Sequence, residues 1–174
     1  MKNEIIIVGT VNSTRYSHQT NGEFFYIYTV AVRRPSGVTD CIPVLVSERI
    51  AIKDKRIRVA GRIRSRSVKG EMKFYVVAKS IRPTSEEDTN EVALEGCICS
   101  VNHRINGKGT DITRFLIANN GYQTSYIPCV AFNQAAVCIS RLNIGEKIEM
   151  KGRIEEKMLH EKPVFEICLY RLNV

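Results

Sequence analysis

A set of short motifs occurs twice along this chain in the same order, and that duplication constrains the fold more than any other property of the sequence. Asn3-Glu4-Ile5-Ile6-Ile7-Val8-Gly9 is matched by Asn90-Glu91-Val92-Ala93-Leu94-Glu95-Gly96, an offset of 87, and each block leads to a serine, Ser13 or Ser100. The same offset sets Tyr28–Arg34 against Phe115–Gly121. Thr39–Val44 then matches Thr124–Cys129 at offset 85, and Ile57–Ile63 matches Ile148–Ile154 at offset 91. Phe74, Val76 and Ala78 close the series against Phe165, Ile167 and Leu169. Offsets that change only between blocks are the mark of a duplicated unit whose loops differ in length. Pro83 and the polar, acidic residues after it read as the connection between copies. The expected division is residues 1–83, a linker at 84–89, and residues 90–174.

Each copy reads as five strands. First strands are expected at 4–12 and 91–101, second strands at 24–34 and 112–119, and third strands at 40–46 and 125–132. Fourth strands follow at 55–66 and 146–157, and fifth strands at 73–82 and 163–173. Ser47–Ala51 and Asn133–Val137 each open with a capping-type residue, which favours a short helix between the third and fourth strands. Five strands with a helix in that position is the plan of an OB-fold barrel. The expected fold class is all-β, two OB-fold barrels in tandem, and 174 residues accommodate two units of that size.

Charge separates the copies. In the fourth strand of copy one, Ile57, Val59, Gly61 and Ile63 share one face, and Arg56, Arg58, Ala60, Arg62, Arg64 and Arg66 share the other. The apolar face belongs inside a barrel, so the arginines form an outward ladder that continues to Lys69 and Lys73. Like charges in one row repel unless an anion lies along them, and a sugar–phosphate backbone supplies evenly spaced negative charge. Copy two carries Lys147, Glu149, Lys151, Arg153 and Glu155 in the equivalent row, and the ladder is gone. Residues 1–85 hold 16 basic and 6 acidic residues; residues 89–174 hold 10 and 9. Unpaired nucleic acid also needs flat surfaces on which bases stack. Copy one offers Tyr16, placed in a loop, with Phe25 and Tyr75 on outward strand faces. Copy two offers Tyr122, Tyr126 and Phe132. Tyr28, Phe74, Phe115 and Phe165 fall on the repeated core pattern and are assigned to packing.

At these residues the chain resembles the bacterial single-stranded DNA-binding protein family. The family's pattern is an Asn-x-(apolar)-x-(apolar)-x-Gly strand, then Phe-x-Leu-Ala-Val-Asn-Arg, then Thr-(Glu/Asp)-Trp-x-x-(apolar)-x-x-Phe, then (apolar)-x-(apolar)-x-Gly-x-(apolar). Asn3–Gly9, Tyr28–Arg34, Thr39–Val46 and Ile57–Ser65 follow it, and so do Asn90–Gly96, Phe115–Asn120, Thr124–Phe132 and Ile148–Gly152. The family's stacking tryptophan is Tyr126 in copy two and Cys41 in copy one; its stacking phenylalanine is Phe132 in copy two and Ser47 in copy one. The resemblance implies single-stranded DNA as partner, with copy one gripping phosphates and copy two stacking bases. The expected DNA-contacting set is Tyr16, Phe25, Arg33, Arg34, Arg56, Arg58, Arg62, Arg64, Arg66, Lys69, Lys73, Tyr75, Tyr122, Tyr126, Phe132 and Arg153. It further implies a homodimer presenting four OB domains, a bacterial cytoplasmic location, and a role in replication, repair, recombination or mobile-element maintenance. The chain ends at Leu172-Asn173-Val174 without the acidic tail of chromosomal members, which suggests a specialised variant.

Other classes find less support. His18, His103 and His160 are scattered without metal-ligand spacing, and neither G-x-S-x-G nor G-x-x-x-x-G-K-[ST] occurs. Asn106-Gly107-Lys108-Gly109 is a turn by composition and lacks the spacing of a phosphate loop. The expectation is no enzyme activity, no cofactor, no metal and no small-molecule substrate. Six cysteines without a CxxC pair read as reduced small hydrophobes. No apolar run approaches the roughly 18 residues of a membrane span, and the N-terminus does not read as a signal peptide. The rival reading is an OB-fold assembly module of the primosomal kind, because fold does not fix function. RNA binding is a third reading, without a recognisable 2′-hydroxyl reader.

Overall fold

The structure, a computed structural model, describes residues 1–121 and 123–173. Its elements are β1 (Asn3–Thr20), β2 (Glu23–Arg33), β3 (Thr39–Ser47), β4 (Arg56–Val68), β5 (Glu71–Pro83), β6 (Thr89–Ile105), β7 (Asp111–Asn120), β8 (Thr124–Phe132), α1 (Asn133–Ser140), β9 (Lys147–Leu159) and β10 (Lys162–Asn173). The chain divides into two compact units. The N-terminal unit is Glu4–Glu91; the C-terminal unit is Val92–Val174 together with Met1–Asn3. The acidic residues after Pro83 thus group with the N-terminal unit.

In the N-terminal unit, β1 pairs antiparallel with both β2 and β4, β2 with β3, and β4 with β5. A short parallel pairing of β3 with β5, Val44 to Val76 and Leu45 to Val77, closes the ring. A closed ring in the order β1-β2-β3-β5-β4 is the OB-fold arrangement. In the C-terminal unit the same ring forms from β6, β7, β8, β10 and β9, with Ile167 and Cys168 of β10 parallel to Cys129 and Val130 of β8.

The first strand serves two partners because it bends. Ile5–Thr10 pair with β4 and the rest of β1 with β2; a register shift between Val11 and Ser13 leaves Asn12 unpaired and turns the strand. β6 has its shift between Ile98 and Ser100, at Cys99, the counterpart of Asn12 at offset 87. A second duplicated bulge lies in the last strand of each ring, at Lys79 in β5 and Tyr170 in β10. It presses the Val77 carbonyl against Gly61 and the Cys168 carbonyl against Gly152, so a Cβ at either glycine would overlap a backbone oxygen.

Inside the rings, alternation places Ile5, Ile7, Ile42, Ile57 and Ile63 in one core and Leu94, Ile98, Ile117, Ile127, Ile148 and Met150 in the other, all fully buried. Each such side chain stabilises the fold by roughly 1.5–3 kcal/mol. Tyr28, Phe74 and Phe115 are buried as expected; Phe165 is half-buried.

Two expectations are corrected. Tyr16 is not in a loop: β1 runs on to Thr20 and makes with β2 an arm that turns at Asn21-Gly22, both at positive φ. The helix expected at Ser47–Ala51 does not form. Ser47 ends β3, and residues 48–50 make a single turn in which the Ile50 amide donates to the Ser47 carbonyl at 3.1 Å. The cause is length. Only residues 48–55 join β3 to β4, whereas residues 133–146 join β8 to β9. The short connection crosses the barrel end extended, held where the Tyr28 hydroxyl donates to the Ile52 carbonyl at 3.2 Å and the Val11 amide to the Lys55 carbonyl at 2.8 Å. In the C-terminal unit α1 covers that end with buried Ala136 and Ile139, and the Thr113 hydroxyl donates to the Ala136 carbonyl at 2.7 Å. Among the described residues, no helix is long and apolar enough to cross a membrane.

Because the carbonyl facing Gly61 or Gly152 is backbone and cannot swing away, Gly61→Ala and Gly152→Ala should each destabilise by about 1–3 kcal/mol. Urea unfolding is the measurement; an unchanged midpoint for both would disprove the close approach.

Candidate nucleic-acid interface

The outer wall of the N-terminal ring is set by the pairing of four strands. Ile63 and Ser65 of β4 point inward and are fully buried, which turns Arg62, Arg64 and Arg66 outward. Across the β4–β5 ladder Arg62 faces Val77, Arg64 faces Tyr75, and Arg66 faces Lys73. Directly opposed residues of an antiparallel pair have Cβ atoms about 5 Å apart, so the half-buried Tyr75 ring stands beside the Arg64 stem. The Arg62–Val77 row continues through Leu45 on β3 to Ile27 on β2. Ile27 is buried, so the partly exposed apolar strip consists of Leu45 and Val77 and ends against a column of guanidiniums. Phe25 lies on the same face of β2, opposite Ser47.

The arginine ladder divides into two parts. Arg56 and Arg58 are held by the acidic connection: Arg56 Nη1 lies 2.5 Å from Asp88 Oδ1, Arg56 Nη2 donates to the Glu86 carbonyl at 2.6 Å, and Arg58 Nε lies 3.4 Å from Glu86 Oε2. Arg82 reaches the same Glu86 at 3.4 Å, and the Arg33 amide donates to Asp88 Oδ2 at 2.7 Å. Below them, Arg62 and Arg66 are exposed and make no ion pair among the described residues. Lys69 sits at positive φ in the tight β4–β5 turn, and Lys73 makes an exposed pair with Glu71 at 3.6 Å. The Arg33 side chain is exposed.

Arg34 stands apart from the wall's chemistry. Its guanidinium donates to both oxygens of Asp40, at 2.6 and 2.8 Å, and the Asp40 carboxylate is 0% exposed. A fully buried carboxylate requires such a partner, so this arginine is engaged in holding the end of β2 to β3.

Aromatic side chains lie on both faces of the β1–β2 arm. The Phe25 ring stacks on His18 at 4.8 Å and 4°. On the other face Tyr16 meets Phe24 at 6.2 Å and Tyr26 at 6.3 Å. Phe24 and Tyr26 were not in the sequence-derived set. They continue the inward alternation of Tyr28 and Val30, and only the length of the arm, which carries them beyond the core, shows that they have no barrel to fill.

In the C-terminal unit, Tyr126 and Phe132 are exposed on the outer face of β8. Six residues apart on a strand, they are separated by about 20 Å. Tyr122 lies outside the described residues. Arg153 donates to Glu155 at 2.6 Å. The counterpart of Tyr75 at offset 91 is Glu166, nearly buried, with Lys157 at 3.3 Å and Arg114 at 3.7 Å. Burial pushes the neighbouring Cys168 thiol up to about 11, helped by the Glu155 carboxylate. Burial, with a smaller contribution from Glu166, also raises Cys129 well above the usual thiol range. All six cysteines are free thiols. The wall here pairs opposite signs around a nearly buried carboxylate, where the N-terminal wall leaves Arg62 and Arg66 without an ion pair among the described residues. Among the described residues no cluster of His, Cys, Asp and Glu has the make-up of a metal site.

No family model matches the chain, and no curated protein does. Solved structures do. The wild-type single-stranded DNA binding protein from Thermus aquaticus superposes with a TM-score of 0.84 at 21% identity, over 99% of this chain and 92% of that one. A deletion mutant of the same protein gives 0.84 at 20% identity, over 99% and 93%. The N-terminal domain of PriB protein from Thermoanaerobacter tencongensis gives 0.43 at 27% identity, over 48% and 98%. The likeness to the Thermus structures establishes the OB-fold arrangement over nearly the whole chain.

The two kinds of arginine separate experimentally. Arg34→Ala, which strands a buried carboxylate, should cost about 3–5 kcal/mol of stability, whereas Arg62→Ala should change it by no more than about 0.5 kcal/mol. Equal effects in chemical denaturation would contradict the assignment.

Proposed function

We propose that the chain is a non-enzymatic binding protein for single-stranded DNA, engaging it without sequence preference through phosphate contacts and base stacking. The observation that carries this reading is the outer wall of the N-terminal unit, where Arg62, Arg64 and Arg66 form one column and Tyr75 stands in register with Arg64. A phosphate backbone laid along the column meets charge at every second residue, and its bases fall toward Tyr75, Val77 and Leu45. That pairing of a cationic track with a stacking surface suits an unpaired strand, whose bases are free to turn onto the rings. Tyr126 and Phe132 add two stacking positions on β8 of the C-terminal unit, where the balanced charge leaves stacking as the main contribution. The fold shared with the Thermus aquaticus protein, itself described as a single-stranded DNA binding protein, supports the same reading. By this reading the chain coats exposed single strands during replication, repair, recombination or mobile-element maintenance in a bacterial cytoplasm. Two copies would associate to offer four OB units.

Titration with oligo-dT at several salt concentrations, with mass measured in solution, tests this. The logarithm of affinity should fall linearly with log salt, with a slope of about −0.7 per phosphate neutralised. The triple variant Arg62→Ala, Arg64→Ala, Arg66→Ala should lose about two units of that slope. Tyr75→Ala should weaken binding by about 1–3 kcal/mol with the slope retained. Failure of the wild-type chain to bind oligo-dT at low salt would falsify the reading and favour an assembly module instead.

A further inference from the structure

We infer that the inward face of the β1–β2 arm is a second base-binding station, separate from the outer wall, which takes unpaired nucleobases against Tyr16, Phe24 and Tyr26. The inference rests on the single-stranded DNA reading above and adds to it a site that the outer wall does not contain.

The arm carries the three rings on one face. Tyr16 pairs across the ladder with Tyr26, and Thr14 with Tyr28. Tyr16 is 55% and Phe24 39% exposed. The rings are inclined to one another, at 60° for Tyr16–Phe24 and 76° for Tyr16–Tyr26. Tilted rings with free faces leave slots of the kind a planar base enters; a filled aromatic core would close them. On the same face, one step toward the barrel, Ser13, Thr14, Tyr28, Lys53, Asp54 and Lys55 line a cleft of about 380 Å³. Neither Lys53 nor Lys55 makes an ion pair among the described residues, so two ammonium groups against one carboxylate leave its rim cationic. Hydroxyl and ammonium groups at the mouth suit the sugar–phosphate of a base held on the rings.

The second copy of the repeat shows why this face is vacant here. At offset 87 the counterparts of Tyr16, Phe24 and Tyr26 are His103, Asp111 and Thr113. His103 bonds to Asp111 at 3.0 Å, and Thr113 is buried beneath α1, donating to Ala136. Where the copy has a helix, the three positions are polar and satisfied within the protein. Where the β3–β4 connection is too short for a helix, the same positions are all aromatic, Tyr16 and Phe24 exposed and Tyr26 half-buried. Exposed large rings gathered on one patch mark a binding surface. Rings beside cationic side chains fit an unpaired polynucleotide better than the apolar face of a partner helix, which gains nothing from lysines beside its seat.

The test uses the full wild-type chain, oligo-dT carrying 5-iodouracil, photocrosslinking and peptide mapping. Adducts on Tyr16, Phe24 or Tyr26, in addition to any on Tyr75, Tyr126 or Phe132, establish the station. The double variant Tyr16→Ala, Phe24→Ala should then raise Kd about 10-fold or more without altering the salt slope. Binding by the wild-type chain with adducts confined to the outer walls overturns the station, leaves the DNA-binding reading standing, and points to a protein partner on the arm. No binding of oligo-dT by the wild-type chain overturns both. The crosslink decides the matter even where the double variant folds poorly, because it is made on the unaltered protein.

Discussion

The structure depends on the closure of a five-stranded ring by backbone hydrogen bonds, with a first strand that must turn a corner to reach two partners. Closure removes the free edges that would otherwise pair with other chains. It also fixes, residue by residue, which side chains enter the core. In β4 of the N-terminal unit, Ile57, Val59, Gly61, Ile63 and Ser65 are committed inward by the register with β1 and β5. Every intervening arginine is thereby forced outward whatever electrostatic cost follows. The bulges at Asn12 and Lys79, and their counterparts at Cys99 and Tyr170, are the places where the ring bends, and the glycines facing the Lys79 and Tyr170 bulges are what permits the close approach.

On that common scaffold the two copies have diverged in electrostatics. Alternate residues on a strand lie nearly 7 Å apart, so each neighbouring pair of outward arginines repels by about 0.6 kcal/mol even at the dielectric constant of water. The acidic connection relieves this for Arg56 and Arg58 through Asp88 and Glu86, whereas Arg62 and Arg66 make no ion pair among the described residues. A solvated strand face selected only for stability would extend such compensation along the row, as Arg153 and Glu155 do in the C-terminal unit. Leaving Arg62 and Arg66 uncompensated lowers the stability of the free protein slightly and raises its attraction for a polyanion.

The repeat and the strand alternation made most of the fold legible before any coordinates. Period-two patterns such as Ile57-Arg58-Val59-Ala60 state their inner and outer faces directly, and the duplicated blocks gave the strand set twice. What escaped was set by lengths and by distant partners. Ser47–Ala51 has helix-compatible residues, but the eight-residue span to β4 leaves no room for the helix seen at Asn133–Ser140. The grip of Glu86 and Asp88 on Arg56 and Arg58 joins residues about 30 apart through the ring's geometry, and residues read as linker gave no sign of it. Arg34 looked like a member of the basic surface because its partner, Asp40, lies beyond a turn. Phe24 and Tyr26 received no assignment from the sequence, because alternation does not say where the core stops. Of the candidate site, the column of arginines, Tyr75 and Tyr16 were readable from the sequence; the neighbours of Tyr16 on the arm, Phe24 and Tyr26, were not.

The substitution of Tyr75 by Glu166 between the copies shows how completely one position can redirect a wall. A carboxylate brought out of water there costs several kcal/mol unless cations attend it, and Lys157 and Arg114 do so at 3.3 and 3.7 Å. Those two cations are therefore occupied by the protein's own anion, and an incoming phosphate would have to displace it against its burial. The same carboxylate helps hold the Cys129 thiol neutral, so the whole patch is self-satisfied. The N-terminal wall has an uncharged ring in that place, and its Arg62 and Arg66 make no ion pair among the described residues. Under the DNA-binding reading proposed above, that asymmetry gives the phosphate-bearing role to the N-terminal copy.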